Sequence, residues 1–157
     1  MALLPRKAVL AIAAVVDVAL QGRGRPVSAK TLASRHGLPP RHLEPVLQAL
    51  VRDGILKGIR GPRGGYEIGR DQSQITADDI LKSASRIEEA EQPLPESPLV
   101  GGVVQPALAS AERSFSAALR EITVADMARQ ALNPIVHGLD SFDGIPLQAK
   151  SGDSRPA

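Results

Sequence analysis

The sequence contains no cysteine and no tryptophan. Without thiols it cannot form disulfides, thiolate zinc sites, cysteine-ligated iron–sulfur clusters or a cysteine nucleophile. Its three aromatic residues are Tyr66, Phe115 and Phe142. The hydrophobic core must therefore consist of Leu, Ile, Val and Ala, a composition that suits packed helices, and we expect a mainly α fold.

The sequence also lacks a recognisable catalytic or metal-binding motif. The histidines, His36, His42 and His137, are far apart in sequence, whereas a metal site needs three or four converging ligands. The acidic pairs at 78–79 and 88–89 could serve acid–base chemistry, but acids in such places more often cap a helix or solvate a linker. No Ser–His–Asp order and no phosphate-binding glycine loop is present. We predict a protein that is not an enzyme and has no metal site and no cofactor.

A short apolar run follows Arg6 and Lys7 and superficially resembles the start of a signal peptide. Asp17 interrupts the run, no small-residue cleavage motif follows, and the run is too short to span a bilayer. We therefore expect a buried helix in a cytoplasmic protein that has no membrane partner.

The charges are distributed unevenly along the chain. Residues 1–70 contain 12 Lys or Arg and 4 Asp or Glu, a surplus of +8, whereas residues 71–157 contain 7 and 13, a balance of −6. A basic half joined to an acidic half predicts a surface that binds a polyanion. Chance clustering of solvated charges is the alternative.

Three helices are predicted in the first 52 residues. Apolar residues at three- and four-residue steps indicate the first, over residues 4–20. Ser28 caps the second, over residues 29–36, because its hydroxyl can accept from a free backbone N–H. The third covers residues 41–52 and tolerates Pro45 if that residue lies in the first turn. The apolar stripe of the first helix comprises Val9, Ile12, Ala13, Val16, Ala19 and Leu20.

Two short strands follow, over residues 55–60 and 65–69, joined by a glycine-rich turn. Arg60 and Arg63 lie at the tip of this hairpin. A helix, a Ser-capped helix, a turn containing glycine, a further helix and a basic hairpin form the order of a winged helix-turn-helix. The second helix of that motif fits the major groove of DNA, and a hairpin arginine can enter a narrow minor groove. We assign residues 1–87 to this DNA-binding domain.

The rest of the chain is divided by a linker. Thr76 begins a fourth helix, and residues 88–102 form a linker that is acidic at first and then rich in Pro and Gly. Residues 103–132 contain a long helix and a short last helix, and residues 133–157 form a polar, partly disordered tail. Apolar residues on the long helix alternate at four- and three-residue steps, which is a heptad seam. The seam comprises Val104, Leu108, Ala111, Phe115, Ala118 and Ile122.

The seam has two interpretations. It covers either the core of its own chain or the same helix of a second copy. Because the linker detaches the helix from the winged domain, its apolar face needs another partner, and we favour a homodimer.

The first seventy residues combine several short motifs in a specific order. They are Ser28-Ala29-Lys30, Leu43-Glu44 with Leu47 and Leu50, and Arg60-Gly61-Pro62 with Gly64-Gly65-Tyr66. In this order the chain resembles the Rrf-two family of bacterial winged helix-turn-helix transcription regulators. The resemblance continues through "ITADDIL" and, more loosely, "LREITVADM", and covers about residues 5–132.

The resemblance implies a homodimer that binds an imperfect palindrome in double-stranded DNA. The long helix after the linker would cross to the partner subunit, so that two recognition helices contact two half-sites. The family pattern places Ser28, Lys30 and Thr31 at the phosphate backbone, Arg41, His42 and Glu44 at base edges, and Arg60 in the minor groove, with Arg63 beside it at the hairpin tip.

One departure from the family pattern matters for sensing. Many members of the family hold an iron–sulfur cluster through three cysteines in the loop before the dimerisation helix. The matching stretch here, residues 91–106, contains none. We therefore exclude a sensor built on that cluster, and group the chain with members that respond to a small molecule or a protein partner, here of unknown identity.

Together these features predict a sequence-specific transcriptional regulator that acts as a homodimeric repressor. The alternative is a protein-interaction module that keeps the winged-helix scaffold but binds little or no DNA. A positive surface across the recognition helix and the wing would distinguish DNA binding from this alternative.

Overall fold

The computed structural model describes residues 3–91 and 93–133. The predictions for the tail beyond Asn133, with His137 and Phe142, lie outside the described residues. The described chain is mainly helical with one two-stranded antiparallel sheet, which confirms the predicted fold class. No described helix is both long enough and apolar enough to cross a bilayer.

Three helices precede a β-hairpin, and three follow it. A 3-10 turn at Gln72–Gln74 precedes the fourth helix, and a π-helical turn at Val100–Val104 leads into the fifth. The elements are α1 (Arg6–Gln21), α2 (Ala29–Arg35), α3 (Pro40–Arg52), β1 (Leu56–Ile59), β2 (Gly65–Ile68), α4 (Ala77–Glu91), α5 (Gln105–Arg120) and α6 (Val124–Ala131).

Helix α1 buries a different face from the predicted apolar stripe. The predicted residues are only partly buried, whereas a neighbouring stripe lies fully in the core. Nearly all of α1 is apolar, so periodicity alone did not distinguish the two faces. The buried stripe is rich in alanine, which lets neighbouring helices approach closely. It comprises Ala8, Ala11, Ala14, Val15 and Val18, together with Asp17.

Helices α2 and α3 form the predicted helix-turn-helix. Gly37, between them, has a φ of 63°, the left-handed conformation that closes α2. Helix α3 begins at Pro40, so Pro45 is its sixth residue and lies inside the helix, and its predicted place in the first turn is wrong. Pro45 is exposed, so water can reach the carbonyl of Arg41 that a proline leaves without a donor.

The hairpin forms where it was predicted. Strands β1 and β2 pair antiparallel from Leu56 opposite Ile68 to Ile59 opposite Gly65. Leu56 is buried, while the opposite end of the hairpin extends into solvent. The sheet is therefore packed into the core at the end that contains Leu56, and its turn projects into solvent as a wing.

The segment between α4 and α5 is shorter than the predicted linker. Helix α4 continues to Glu91, and helical structure resumes at Pro98, so the described irregular part covers only residues 93–97. Ser97 explains the early start, because its hydroxyl accepts from the N–H of Val100 at 3.1 Å. Proline is favoured directly after such a cap, and this Ser-Pro signal was present in the sequence.

Helices α4 and α6 start side by side. Thr76 and Asp79 form a capping box, with N–H to side-chain distances of 3.0 and 3.2 Å. Thr123 caps α6 in the same way by accepting from the N–H of Asp126 at 3.1 Å. The N–H of Ala77 donates to the carbonyl of Ile122 at 2.8 Å and joins the two starts. The core beneath them includes Val15, Leu32, Leu43, Leu47, Leu50, Ile55, Ile75, Ile80 and Val124.

Candidate nucleic-acid interface

The amino terminus of α2 is stabilised by its own side chains. The hydroxyl of Ser28 accepts from the backbone N–H of Thr31 at 3.1 Å, and the two hydroxyl oxygens are 2.8 Å apart. Lys30 and Thr31 are exposed, and Ser28 is half-buried. The three residues predicted at the phosphate backbone thus lie together on one turn.

The wing is attached directly to this turn. The N–H of Val27 donates to the carbonyl of Tyr66 at 3.0 Å, and the N–H of Tyr66 donates to the carbonyl of Val27 at 2.9 Å. Gly65 permits this approach, because its φ is 155° and a Cβ would lie 2.5 Å from the carbonyl carbon of Val27. Since Ser28 follows Val27, these bonds place the wing beside the start of α2.

The tip of the wing carries two free arginines. Arg60 and Arg63 are exposed, and neither forms an ion pair or hydrogen bond within the described residues. Between them, the N–H of Gly64 donates to the carbonyl of Gly61 at 2.9 Å and tightens the turn. Both guanidinium groups are therefore available to an anionic partner.

The outward face of α3 is polar. Arg41, His42 and Glu44 are exposed, while the opposite face is buried. The exposed face also contains Gln48, which we did not predict as a site residue. Its position four residues after Glu44 was the available signal, since residues i and i+4 lie on one side of a helix.

Glu44 lies close enough to the wing to affect Tyr66. Burial raises the pKa of the Tyr66 hydroxyl, and the negative charge of Glu44 raises this pKa further. Tyr66 belongs to β2, so Glu44 of α3 lies near the base of the wing.

The interface carries a positive surplus. The predicted contact residues include one carboxylate, Glu44, and four cationic side chains, those of Lys30, Arg41, Arg60 and Arg63. A surface of this composition attracts the phosphate backbone, and its binding weakens as salt rises.

A buried ion pair behind the interface was not predicted. Asp17 of α1 is 2 % exposed and accepts from Arg35 Nη1 at 2.6 Å, and His36 Nε2 lies 3.4 Å from its second carboxylate oxygen. Arg35 and His36 end α2, so this cluster fixes α2 against α1. No local pattern connects residues this far apart in sequence.

The predicted seam is largely exposed, but its residues do not all lie on one helix as predicted: Val104 ends the π-helical turn before α5, and Ile122 follows the end of α5 at Arg120. Val104, Leu108 and Ile122 are 41 %, 59 % and 43 % exposed. Ala111 and Ala118 are also exposed, and Phe115 is half-buried. The chain therefore does not cover its own seam, and α5 buries only Leu119 among its described side chains.

A helix-turn-helix followed by a basic wing defines a winged-helix DNA-binding protein. Comparison with protein families agrees, because the Rrf2 (Rrf-two) family, described as iron-dependent transcriptional regulators, matches residues 4–130. The chain belongs to the Rrf2 family. It is accordingly a DNA-binding transcriptional regulator and not an enzyme, as predicted.

Relatives and solved structures support the same assignment. The HTH-type regulator slr0846 of Synechocystis is 33 % identical over 129 residues, which cover 79 % of this chain and 86 % of that protein. The regulator IscR of Escherichia coli is 31 % identical over 80 residues, 51 % of this chain, and the match spans only 49 % of IscR.

Two solved structures share the fold along most of their length. The T. potens IscR structure has a TM-score of 0.62 and 30 % identity, and covers 82 % of this chain and 87 % of its own. The structure of CymR, the global cysteine regulator of B. subtilis, has a TM-score of 0.61, 24 % identity and coverages of 83 % and 98 %.

The residues present do not fit a thiolate-ligated iron–sulfur cluster. The chain has no cysteine, and in residues 93–106 the polar side chains are those of Glu96, Ser97 and Gln105. Clusters of this type need thiolate or imidazole ligands, which these side chains do not supply. Within residues 3–91 and 93–133, no three His, Asp or Glu side chains converge on a point that could hold a metal ion.

Proposed function

We propose that this protein is a homodimeric repressor that binds an imperfect palindrome in double-stranded DNA. The observation that supports it most is the exposed apolar seam of α5 beside a winged domain whose core is complete. A second copy of the chain is the partner that a heptad seam fits best.

Burial of the seam supplies the association energy. Full burial of a Val, Leu or Ile side chain contributes about 1.5–3 kcal/mol. The seam residues are about half-exposed in the single chain, so dimerisation can still gain much of this energy from each of them. In a symmetric dimer each residue contributes twice. Ala111 and Ala118 are small, so they allow two helices to approach closely.

The exposed face of α3 is the proposed reader of base edges. Arg41 and Gln48 have the side-chain chemistry that pairs with guanine and adenine, and Glu44 can accept from cytosine. His42 lies beside Arg41 and would donate to a base or to the backbone. Two such helices in a dimer would contact half-sites about one helical turn apart.

The α2 turn and the wing are the proposed backbone and groove contacts. Ser28, Lys30 and Thr31 would bind phosphate oxygens, which position the protein without reading sequence. Arg60 would enter the minor groove, and Arg63 would bind there or at the adjacent phosphate. The hydrogen bonds between Val27 and Tyr66 keep these contacts in one register.

Repression would follow from occupancy of the promoter by the dimer. A dimer bound across a promoter would exclude the polymerase, and this needs no surface beyond the DNA interface.

Genome-wide footprinting of the protein tests the proposal, followed by fluorescence anisotropy with the recovered sites. We expect an inverted repeat, affinity at least about 1,000-fold above that for scrambled DNA, and repression of a promoter that contains the repeat. Equal affinity for scrambled DNA would contradict sequence-specific binding and favour the interaction-module alternative.

A further inference from the structure

A cavity of about 830 Å³ lies between α4 and α5, beside the residues that precede α1. This volume is within the range of roughly 300–1,000 Å³ that is usual for small-molecule sites. Leu81 of α4 and Ala109 and Phe115 of α5 form an apolar wall. The proposed DNA contacts are on other elements, so a ligand here would not compete directly with DNA.

The charged side chains around the cavity carry a positive surplus. Four cations and two carboxylates line it, and they are Lys82, Arg86, Arg113 and Arg120 against Asp78 and Glu112. Arg113 forms no ion pair or hydrogen bond within the described residues. A cavity with an apolar wall and an unpartnered guanidinium favours an anion attached to an apolar body.

Asp78 holds the two helices together at the edge of this cavity. Its carboxylate accepts from Lys82 Nζ at 2.7 Å on its own helix, and from Ser116 Oγ at 2.7 Å and Arg120 Nε at 3.2 Å on α5. Asp78 is 2 % exposed, so these bonds compensate for a buried charge. Arg120, which lines the cavity, thus helps to fix the position of α5 relative to α4, together with Ser116.

The cavity remains available when the seam of α5 is paired. Ala109, Glu112 and Ser116 each follow a seam residue by one position, which is a rotation of about 100° around the helix. Only Phe115 belongs to both the seam and the cavity wall. Pairing through the seam would therefore cover one side of α5 and leave the cavity side accessible.

We propose that this cavity binds a small organic anion with an apolar body, and that this ligand is the effector of the regulator. The role of this ligand as an effector rests on the proposed function, whereas the binding of the ligand to the cavity does not. The anion binds Arg113 and competes with Asp78 for Lys82 and Arg120. Because Asp78 joins α4 to α5, this competition changes the angle between the winged domain and α5.

Binding is tested on the full-length protein without DNA, so its failure is distinct from failure of DNA recognition. The probe is 8-anilinonaphthalene-1-sulfonate, an aromatic sulfonate, and its uncharged counterpart is N-phenyl-1-naphthylamine. Fluorescence titration should show one sulfonate site per protomer. Arg113→Ala should weaken sulfonate binding about tenfold, since a charge-assisted contact is lost, and should leave binding of the uncharged probe unchanged.

Three variants complete the test. Arg113→Lys should restore most of the sulfonate affinity, and Ser85→Trp, which fills the cavity, should abolish binding of both probes. Arg129→Ala removes an exposed arginine on α6, away from the cavity lining, and should change neither titration. Unchanged sulfonate binding in Arg113→Ala and Ser85→Trp would overturn the proposal. Equal loss of both probes in Arg113→Ala would also overturn it, since the site would then not select an anion.

Discussion

The winged domain and helix α5 differ in how their apolar residues are covered. Leu32, Leu47 and Leu50 are completely buried within the chain. On α5, Leu108 is 59 % exposed, and Val104, directly before α5, is 41 % exposed. The core of the winged domain is therefore complete within the chain, with Val124 of α6 included in it, whereas the apolar face of α5 needs a surface that this chain does not provide. Stability should depend on the first region and assembly on the second.

The largest expected effect comes from a charge in the α5 seam. Leu108→Glu should weaken dimerisation by more than about 100-fold, because a carboxylate would be buried opposite apolar side chains. Multi-angle light scattering at micromolar concentration should then show a monomer. Ala117→Glu adds the same charge on an exposed position of α5 off the seam and should remain dimeric. A wild-type monomer would contradict the proposed role of the seam.

The next largest effect concerns the buried charge of the winged domain. Asp17→Ala should lower the free energy of unfolding by about 3 kcal/mol, because it leaves Arg35 without its buried partner. Urea denaturation measures this change. Asp53→Ala breaks the more exposed pair with Arg86 and should cost less than about 1 kcal/mol. Similar losses in the two variants would show that burial does not distinguish these pairs.

A glycine at the base of the wing gives a somewhat smaller effect. Gly65→Ala should destabilise the protein by about 2 kcal/mol, since its Cβ would clash with the backbone of Val27 and its φ is unfavourable for alanine. The control is Gly58→Ala in β1, where a Cβ meets nothing within 4 Å. Thermal unfolding compares the two, and equal melting temperatures would contradict the close contact.

Arg60 should affect DNA binding without affecting stability. Arg60→Ala should lose about 1–3 kcal/mol of specific DNA affinity, the scale of one groove contact. Fluorescence anisotropy with the recovered operator measures the loss, and Arg129→Ala again serves as the matched control. Unchanged affinity in Arg60→Ala would exclude Arg60 as a DNA contact.

The smallest effect is the pH dependence of the stability that Asp78 contributes through its bonds between α4 and α5. Burial opposes ionisation of Asp78, but hydrogen bonds from Lys82, Ser116 and Arg120 outweigh it and lower the Asp78 pKa. Its contribution to stability is therefore complete above the usual aspartate pKa of about 3.9 and falls as pH drops towards the lower folded pKa. Urea denaturation of Asp78→Asn should show lower stability than wild type at pH 7. This difference should narrow below pH ~4. A difference that stays constant with pH would contradict a stabilising role for the ionised Asp78 carboxylate.

Local chemistry made much of the winged domain predictable. Ser28 and Thr76 each cap a helix, and a cap depends on atoms within three residues of the chain. The glycine-rich turn between Arg60 and Gly65 similarly specified the hairpin. The cap at Ser97 follows the same rule, but the glycines at 101–102 favoured a linker over the helix that forms.

Contacts between distant residues were less predictable. The buried face of α1 depends on which neighbours pack against it, because both of its faces are apolar. Gln48 was missed for a different reason, because its four-residue spacing from Glu44 was a local signal that we did not use.

The sequence by itself determined the winged-helix order, the basic character of the DNA-binding half and the absence of thiol ligands. These properties follow from composition and from interactions within one or two turns of the chain. The tertiary structure decided the partner of Asp17, the bond network of Asp78, the cavity beside it and the exposure of the α5 seam. Each of these depends on the packing of elements that are far apart in sequence, and a one-dimensional pattern does not encode which faces meet.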